Sequence, residues 1–449
     1  MRHAFKSLNE TLLVLVSILQ LTSATPVRRP YPAKTSGYGD LQFRASYSDS
    51  PQPFEIDVDP EFVSYVKSKL NLTRYTRDLH IPDWVEGPPK QNISGLRDYW
   101  YQEYDWFSVQ KHLNANLKQF TTTVTAGPNY THPIPLHFVH HQSYRQDAIP
   151  LLHIHDSPGS FMEIEGIIDA LTHPPNDSTP AFHVVAPDIP GFGFSPAPAF
   201  PGLGLREAGQ GFNHLMLQLG YSKYVVGGGD FGALTLRHMA TDFPESVASV
   251  LSNFYLVYPN ATDFARQARN ETSPMENANI AITNSIGTMD GYAAIQETTP
   301  LQLSVAMTDS PIGTAAWIWE VMYQASPGFT WPLADVITWT MMYYIQGPYG
   351  AFRMYKEAAT EGSFTNDFQY IYQPVGIIEF PGDLPYYTPL AWCQRSANVT
   401  YFNRKFTFGG HYPATEAPMQ LVEAYREFWG NTTLSGDFFQ APTNYSEAV

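Results

Sequence analysis

The sequence predicts an α/β fold: a mostly parallel sheet with helices on both faces, a helical cap insertion and an N-terminal helical extension. Three observations carry this. Short apolar runs at 149–154, 181–186 and 224–226 read as buried strands, with helix-compatible stretches between them. The run at 224–226 enters a glycine cluster and leaves it as an apolar stretch suited to a helix. Segment 260–370 breaks the alternation, being rich in Met, Trp, Tyr and Ala with few strand-like runs.

Taken in order, residues 1–24 read as a signal peptide. Arg2 and Lys6 precede an apolar run at 11–21, which ends in Thr22-Ser23-Ala24. Residues 25–53 lack periodicity and read as an extended leader. Segment 54–132 forms an N-terminal region. In it Phe62, Val63, Val66 and Leu70 recur at helical spacing behind Asp59-Pro60, a cap followed by a first-turn proline. Stretch 96–117, with Trp100, Trp106, Leu113 and Leu117, predicts a further helix. The α/β core begins at 133–259. Its first strand, 134–139, alternates apolar and polar residues as a half-buried strand does, and helices are expected at 161–171 and 204–219. After the cap at 260–370, the core resumes over 371–430 with strands at 375–380 and 400–402 and a helix at 415–429. A tail, 431–449, closes the chain.

Composition narrows the function classes. Lys plus Arg number 26 against 42 Asp plus Glu, a net charge of −16. Phosphate contacts need clustered basic residues, so nucleic acid is excluded as a partner. The single cysteine, Cys393, rules out an intrachain disulfide framework and any multi-thiolate metal site. No convincing metal or organic cofactor site is visible. Beyond the signal segment no run reaches the length of a membrane span, although contact with a membrane surface stays open. Nine Asn-x-Ser/Thr sequons follow that segment, at Asn71, Asn92, Asn129, Asn176, Asn260, Asn270, Asn398, Asn431 and Asn444. Together with the signal they predict a glycosylated protein of the secretory pathway, secreted or luminal.

The chemistry-bearing motif is Val226-Gly227-Gly228-Gly229-Asp230-Phe231-Gly232. In a nucleophile elbow the chain turns so sharply that small residues must flank the nucleophile two positions before and after it. Gly228 and Gly232 occupy those places, and the Phe231 N–H would face the reacting centre. A glycine-rich strand–helix connection whose aspartate merely caps the helix is the alternative. A dinucleotide loop is disfavoured because the G-x-G-x-x-G spacing is missing. A carboxylate nucleophile suits saturated carbon electrophiles, epoxides or alkyl halides, giving an alkyl ester. Candidate partners follow in chain order: Asp383, just after a strand, and His411, in a glycine-lined loop before the closing helix. The imidazole would act as the general base on water, oriented by the carboxylate.

Motifs spread from Phe54 to Trp429 resemble those of the microsomal-type epoxide hydrolases, a branch of the α/β-hydrolase superfamily. They include Asp98-Tyr99-Trp100, Tyr104-Asp105-Trp106, Gly191-Phe192-Gly193-Phe194-Ser195, Gly291-Tyr292-Ala293-Ala294, Ala315-Ala316-Trp317-Ile318 and Phe352-Arg353-Met354-Tyr355. The resemblance implies Asp230 as nucleophile, Asp383 as acid partner and His411 as base. It places Tyr292 and Tyr355 in the cap as proton donors to the epoxide oxygen, which distinguishes the epoxide reading from a haloalkane dehalogenase. It also implies backbone oxyanion donors at Phe231 and Ser157, and substrate contacts at Pro158 and Trp317. The expected substrate is a small apolar epoxide, opened to a diol without a cofactor.

One stretch departs from the family pattern. Where the family carries a His-Gly-Trp-Pro type turn, this chain reads His155-Asp156-Ser157-Pro158. Asp156 replaces a glycine able to take positive φ and brings a carboxylate towards a site that must stabilise negative charge. Two alternatives follow: a biosynthetic cyclase, in which a substrate hydroxyl opens the epoxide, motivated by this departure together with a Tyr-, Phe- and Met-rich cap suited to a large apolar natural product, and a catalytically silent binding relative, which rests on Asp156 alone.

Overall fold

The computed structural model describes residues 41–289, 291–384 and 388–437. The expected signal segment and the sequon at Asn444 lie outside the described residues. The strands are β1 (Gln52–Phe54), β2 (Gln119–Val124), β3 (Ile134–His141), β4 (Ile149–Ile154), β5 (Phe182–Pro187), β6 (Tyr224–Gly228), β7 (Val247–Ser252), β8 (Ile371–Ile378) and β9 (Ala397–Asn403). Among the described residues they form one sheet, ordered β1-β2-β3-β5-β4-β6-β7-β8-β9. From β5 to β9 in that order every pairing is parallel. The β1, β2 and β3 edge is antiparallel. Strands β4 and β5 are buried at every position, as parallel strands covered on both faces must be.

Local sequence explains the first helices. In α1 (Pro60–Asn71) the Asp59 side chain accepts from the Glu61 N–H and Pro60 opens the first turn, while Phe62, Val66 and Leu70 are buried. The expected single helix over 96–117 is two, α2 (Lys90–Gln102) and α3 (Trp106–Asn116). They separate because the Asp105 side chain accepts from the Phe107 N–H and starts a second helix.

Two further expectations are corrected. Residues 41–53 do not run clear of the fold: Phe43 bridges Val58, and β1 extends the sheet edge. Phe43 and Phe54 pack on Phe194, at ring separations of 4.9 and 5.6 Å. Strand β3 is not half-buried. Its His137 lies wholly inside, because Asp188 Oδ2 at 2.8 Å and Gln119 Oε1 at 3.0 Å pair with its two ring nitrogens.

The first core helices are α4 (Glu165–Thr172), preceded by a 3₁₀ turn at Phe161–Ile164, α5 (Leu205–Gln218) and α6 (Asp230–Asp242). The insertion between β7 and β8 is helical: α7 (Ala261–Ala268), α8 (Pro274–Met289), α9 (Gly291–Thr298), α10 (Pro300–Asp309), α11 (Pro311–Ala325), α12 (Leu333–Tyr344) and α13 (Tyr349–Glu361). Short α14 (Leu390–Cys393) precedes β9, and α15 (Pro413–Glu416), α16 (Pro418–Trp429) and α17 (Thr432–Ser435) follow it. The helix expected at 415–429 is thus interrupted, with Pro418 opening α16. The N-terminal helices α1 and α2 pack against α11 and α12 of the insertion. Nearby, the Tyr104 hydroxyl reaches Thr338 Oγ1 at 2.9 Å and Lys69 pairs with Asp309 at 2.5 Å.

Candidate active site

Strand β6 ends in a turn that only glycine fits on either side. A Cβ on Gly228 would lie 2.6 Å from the Ile154 carbonyl oxygen, and one on Gly232 would lie 2.3 Å from it. Between them Asp230 sits at φ 41°, a left-handed conformation that L residues avoid and that projects the side chain away from the sheet. The Asp230 carboxylate receives the backbone N–H of Ser157 at Oδ2, 3.1 Å away, and also the N–H of Phe231. Both donors expected for an oxyanion hole therefore converge on one carboxylate. Burial pushes Asp230 up to about 6, against the pull of His411 and these two N–H groups.

Two loops deliver the other charged residues. Asp383 lies in the turn after β8 and His411 in the loop before α15. The Gly382 N–H donates to the Gly409 carbonyl at 2.9 Å and ties the loops together. The His411 Nδ1 and Asp383 Oδ1 are 2.8 Å apart, both residues buried. Burial opposes the imidazolium, but Asp383, Asp230 and Asp156 outweigh it and hold His411 well above the ordinary histidine range. Asp383 itself is raised by burial, with His411 pulling the other way.

The roof comes from the insertion. Tyr292 on α9 and Tyr355 on α13 meet edge to face at 5.9 Å, and their hydroxyls interact. The Tyr355 hydroxyl is also 3.2 Å from Ser157 Oγ, and its ring packs on Phe231 at 4.6 Å. Burial, with Tyr292 and Asp230 nearby, drives the Tyr355 phenol well above its usual range, so it stays protonated. Helices α9 and α13 pack together, and the Lys356 ammonium donates to the Thr298 carbonyl at 3.0 Å, fixing the two phenols as a unit.

Ser157, Asp230, Tyr292, Tyr355, Asp383 and His411 all face one cavity of about 320 Å³. Apolar side chains, among them Phe254, Ile282, Val321, Phe364 and Leu384, form much of the remaining wall. This is the size and character of a small-molecule site. Pro158 and Trp317 do not line it. They border a far smaller adjoining space beneath the tyrosines, where the Trp317 indole donates to Gln296 Oε1 at 3.0 Å and stands against Phe352. That space shares Ser157, Tyr292 and Tyr355 with the main cavity, so the two residues stand beside the site rather than in its main wall.

The departure at Asp156 also resolves differently from expectation. Asp156 is not among the residues at positive φ, so replacing glycine costs no backbone strain, and Ser157 still presents its N–H to Asp230. Sequence reasoning missed Glu163, whose buried carboxyl lies behind this turn and accepts the Asp156 N–H at 3.3 Å. It missed Tyr343 too, whose hydroxyl receives the Gly159 N–H at 2.8 Å. Neither residue belongs to a local pattern that would single it out.

The chain is similar to known proteins over most of its length. Residues 51–164 match the family described as "Epoxide hydrolase N terminus", and 149–274 match "alpha/beta hydrolase fold". A "Putative epoxide hydrolase" of Stigmatella aurantiaca is 30% identical over 388 residues, covering 84% of each chain. The "Juvenile hormone epoxide hydrolase 1" of Ctenocephalides felis is 28% identical, covering 83% of this chain and 84% of its own. The crystal structure of juvenile hormone epoxide hydrolase from Bombyx mori superimposes with a TM-score of 0.76 at 26% identity, over 85% of this chain and 95% of that one.

Proposed function

The chain belongs to the epoxide hydrolase family, and on that premise we propose that it opens an apolar epoxide to a diol with Asp230 as the nucleophile. The observation that carries the assignment is an aspartate, not a serine, at a strained elbow with two backbone N–H groups already on its carboxylate.

The reaction follows from the geometry. With Oδ2 held by Ser157, the other carboxylate oxygen attacks an epoxide carbon and that carbon–oxygen bond breaks. The departing oxygen takes a proton from the Tyr292–Tyr355 pair. Its product is an alkyl ester of Asp230, with Oδ2, which the Ser157 N–H already holds, as the carbonyl oxygen. Esterification removes the Asp230 charge, one of the groups that raise His411, so the imidazolium gives up its proton more readily and the neutral ring, the form that can act as a base, is populated. His411 then deprotonates water, which attacks the ester carbonyl, while Asp383 stabilises the imidazolium. Collapse of the oxyanion expels the alkyl oxygen, which takes the proton held by His411 and leaves as the diol, while the proton left on the new Asp230 carboxyl returns to the phenolate and regenerates both groups. With the Ser157 donor in place, Asp156 no longer favours the silent relative, and the cyclase reading keeps only the aromatic, Met-rich cap as its ground.

Intact mass spectrometry of His411→Gln enzyme exposed to a panel of aryl and alkyl epoxides tests this reading. A stable adduct of one epoxide mass on Asp230 is expected. Turnover undiminished by Asp230→Ala would dismiss it.

The signal segment and sequons support a secretory-pathway destination. Seven of the eight sequon asparagines among the described residues are exposed and Asn92 is half-buried, so the chain offers accessible acceptors. No helix among the described residues is long and apolar enough to cross a membrane. Expression in a eukaryotic secretory host, followed by glycosidase treatment, tests the proposal: a mass decrease is expected, and an unprocessed, unglycosylated cytosolic product would refute it.

A further inference from the structure

Behind the oxyanion turn lie two acidic side chains that the mechanism does not use. Asp156 and Glu163 are both buried, at 3% exposure each, and interact side chain to side chain. Their backbone setting is tightly fixed. The Ile189 N–H donates to His155 Nε2 at 3.0 Å, so the proton of that ring sits on Nδ1, which donates to the Asp156 carbonyl at 2.7 Å. On the other side, the Asp156 N–H donates to Glu163 Oε2. The backbone of Asp156 is therefore pinned at both its N–H and its carbonyl, and Glu163 is one of the pins.

The side chains face a different problem. With both carboxyls ionised, Asp156 Oδ1 and Glu163 Oε1 are buried acceptors with no donor. Asp156 Oδ1 also lies close against Gly229, the residue before the nucleophile, where a Cβ would stand 2.3 Å from it. Two contacting buried carboxylates repel, and a single proton converts the contact into a donor–acceptor bond.

We propose that Asp156 and Glu163 share one proton and act as a positioning pair, holding the Ser157 N–H where ester hydrolysis needs it. The inference rests on the Asp230 ester mechanism above and deepens it. A second negative charge beside the two N–H donors would oppose the oxyanion of the hydrolytic step. Alkylation, which only consumes the Asp230 charge, does not build that oxyanion. The pair thus acts on one half-reaction. Burial raises both carboxyls, Glu163 to about 8. The other groups acting on them are His411, Asp230 and Asp383, together with the phenols of Tyr343, Tyr412 and Tyr425. Loss of the shared proton at alkaline pH is expected to slow hydrolysis selectively.

Rapid-quench measurements on the full chain with styrene oxide resolve alkylation from hydrolysis, and the burst amplitude counts folded sites. D156A is expected to slow hydrolysis by about 100-fold, the order lost when a catalytic group is misplaced by roughly 1 Å, and to leave alkylation nearly unchanged. D156N, whose amide can donate permanently to Glu163, is expected to rescue hydrolysis at neutral pH and to abolish its alkaline decline. E163Q, donating in the opposite direction, carries the same test if D156A fails to fold. Equal slowing of both steps by D156A overturns the pair, as does no slowing. So does an alkaline decline that is missing in the wild type or survives in D156N. Diol formation in the wild type without any ester would instead overturn the Asp230 mechanism itself.

Discussion

At the scale of single residues, burial and neighbouring charges shift where the groups of the site titrate. Asp230 must be a carboxylate to attack, yet burial sets it at about 6. Protonation removes the nucleophile, so kcat/KM should be flat above that value and fall about tenfold per pH unit below it. A pH profile of initial rates checks this, and an acid limb centred near 4 would contradict it. The Tyr355 phenol, also raised by burial, serves in its protonated form as a donor. Tyr292→Phe and Tyr355→Phe should each slow ester formation, and the double substitution should cost about 10² to 10⁴-fold, the range of general acid catalysis. Stopped-flow alkylation rates measure it; a double variant within threefold of the wild type would remove the tyrosines from the mechanism. The residues that sequence placed here were legible because each sits in a local signature. Asp230 follows a strand and lies between glycines, and His411 lies in a glycine-lined loop. Glu163 was not legible, since its role depends on a turn that folds back over it.

At the scale of elements, the elbow is the part with least tolerance. Gly232→Ala places a methyl group 2.3 Å from the Ile154 carbonyl, on a neighbouring parallel strand that cannot yield without breaking its ladder. A loss of about 1–3 kcal/mol or more is expected, together with loss of activity as Asp230 shifts. Denaturant unfolding and the burst amplitude read the two effects separately; unchanged stability would mean that the turn relaxes. Periodicity located most strands and helices because burial on one face or both leaves a repeat in the sequence. It failed for β1, three residues long, and for the α2–α3 break. There a single side-chain cap at Asp105, not any change of hydrophobic period, divides the helix.

At the scale of the whole molecule, the N-terminal region is a brace between the sheet edge and the insertion. Phe43 and Phe54 close over Phe194 and His137, the Tyr47 hydroxyl donates to the Phe194 carbonyl at 2.6 Å, and α1 and α2 grip α11 and α12. The roof that carries Tyr292 and Tyr355 is therefore held from outside as well as by its own packing. Phe43→Ala should cost about 3–5 kcal/mol, the usual loss for a buried phenylalanine. Thermal unfolding measures it, and a change below about 1 kcal/mol would show the edge to be dispensable.

The sequence by itself determined the α/β class, the cap insertion and the chain order of the candidate site residues Asp230, Asp383 and His411. Those properties reside in spacing and residue type along short windows. The tertiary structure alone decided that Asp156 is buried beside Glu163 without backbone strain, that Trp317 bonds to Gln296, and that residues 41–58 complete the sheet edge. Each of these depends on the distance between groups far apart in the chain. Such distances are set by the summed packing of the whole core, so no local stretch encodes them.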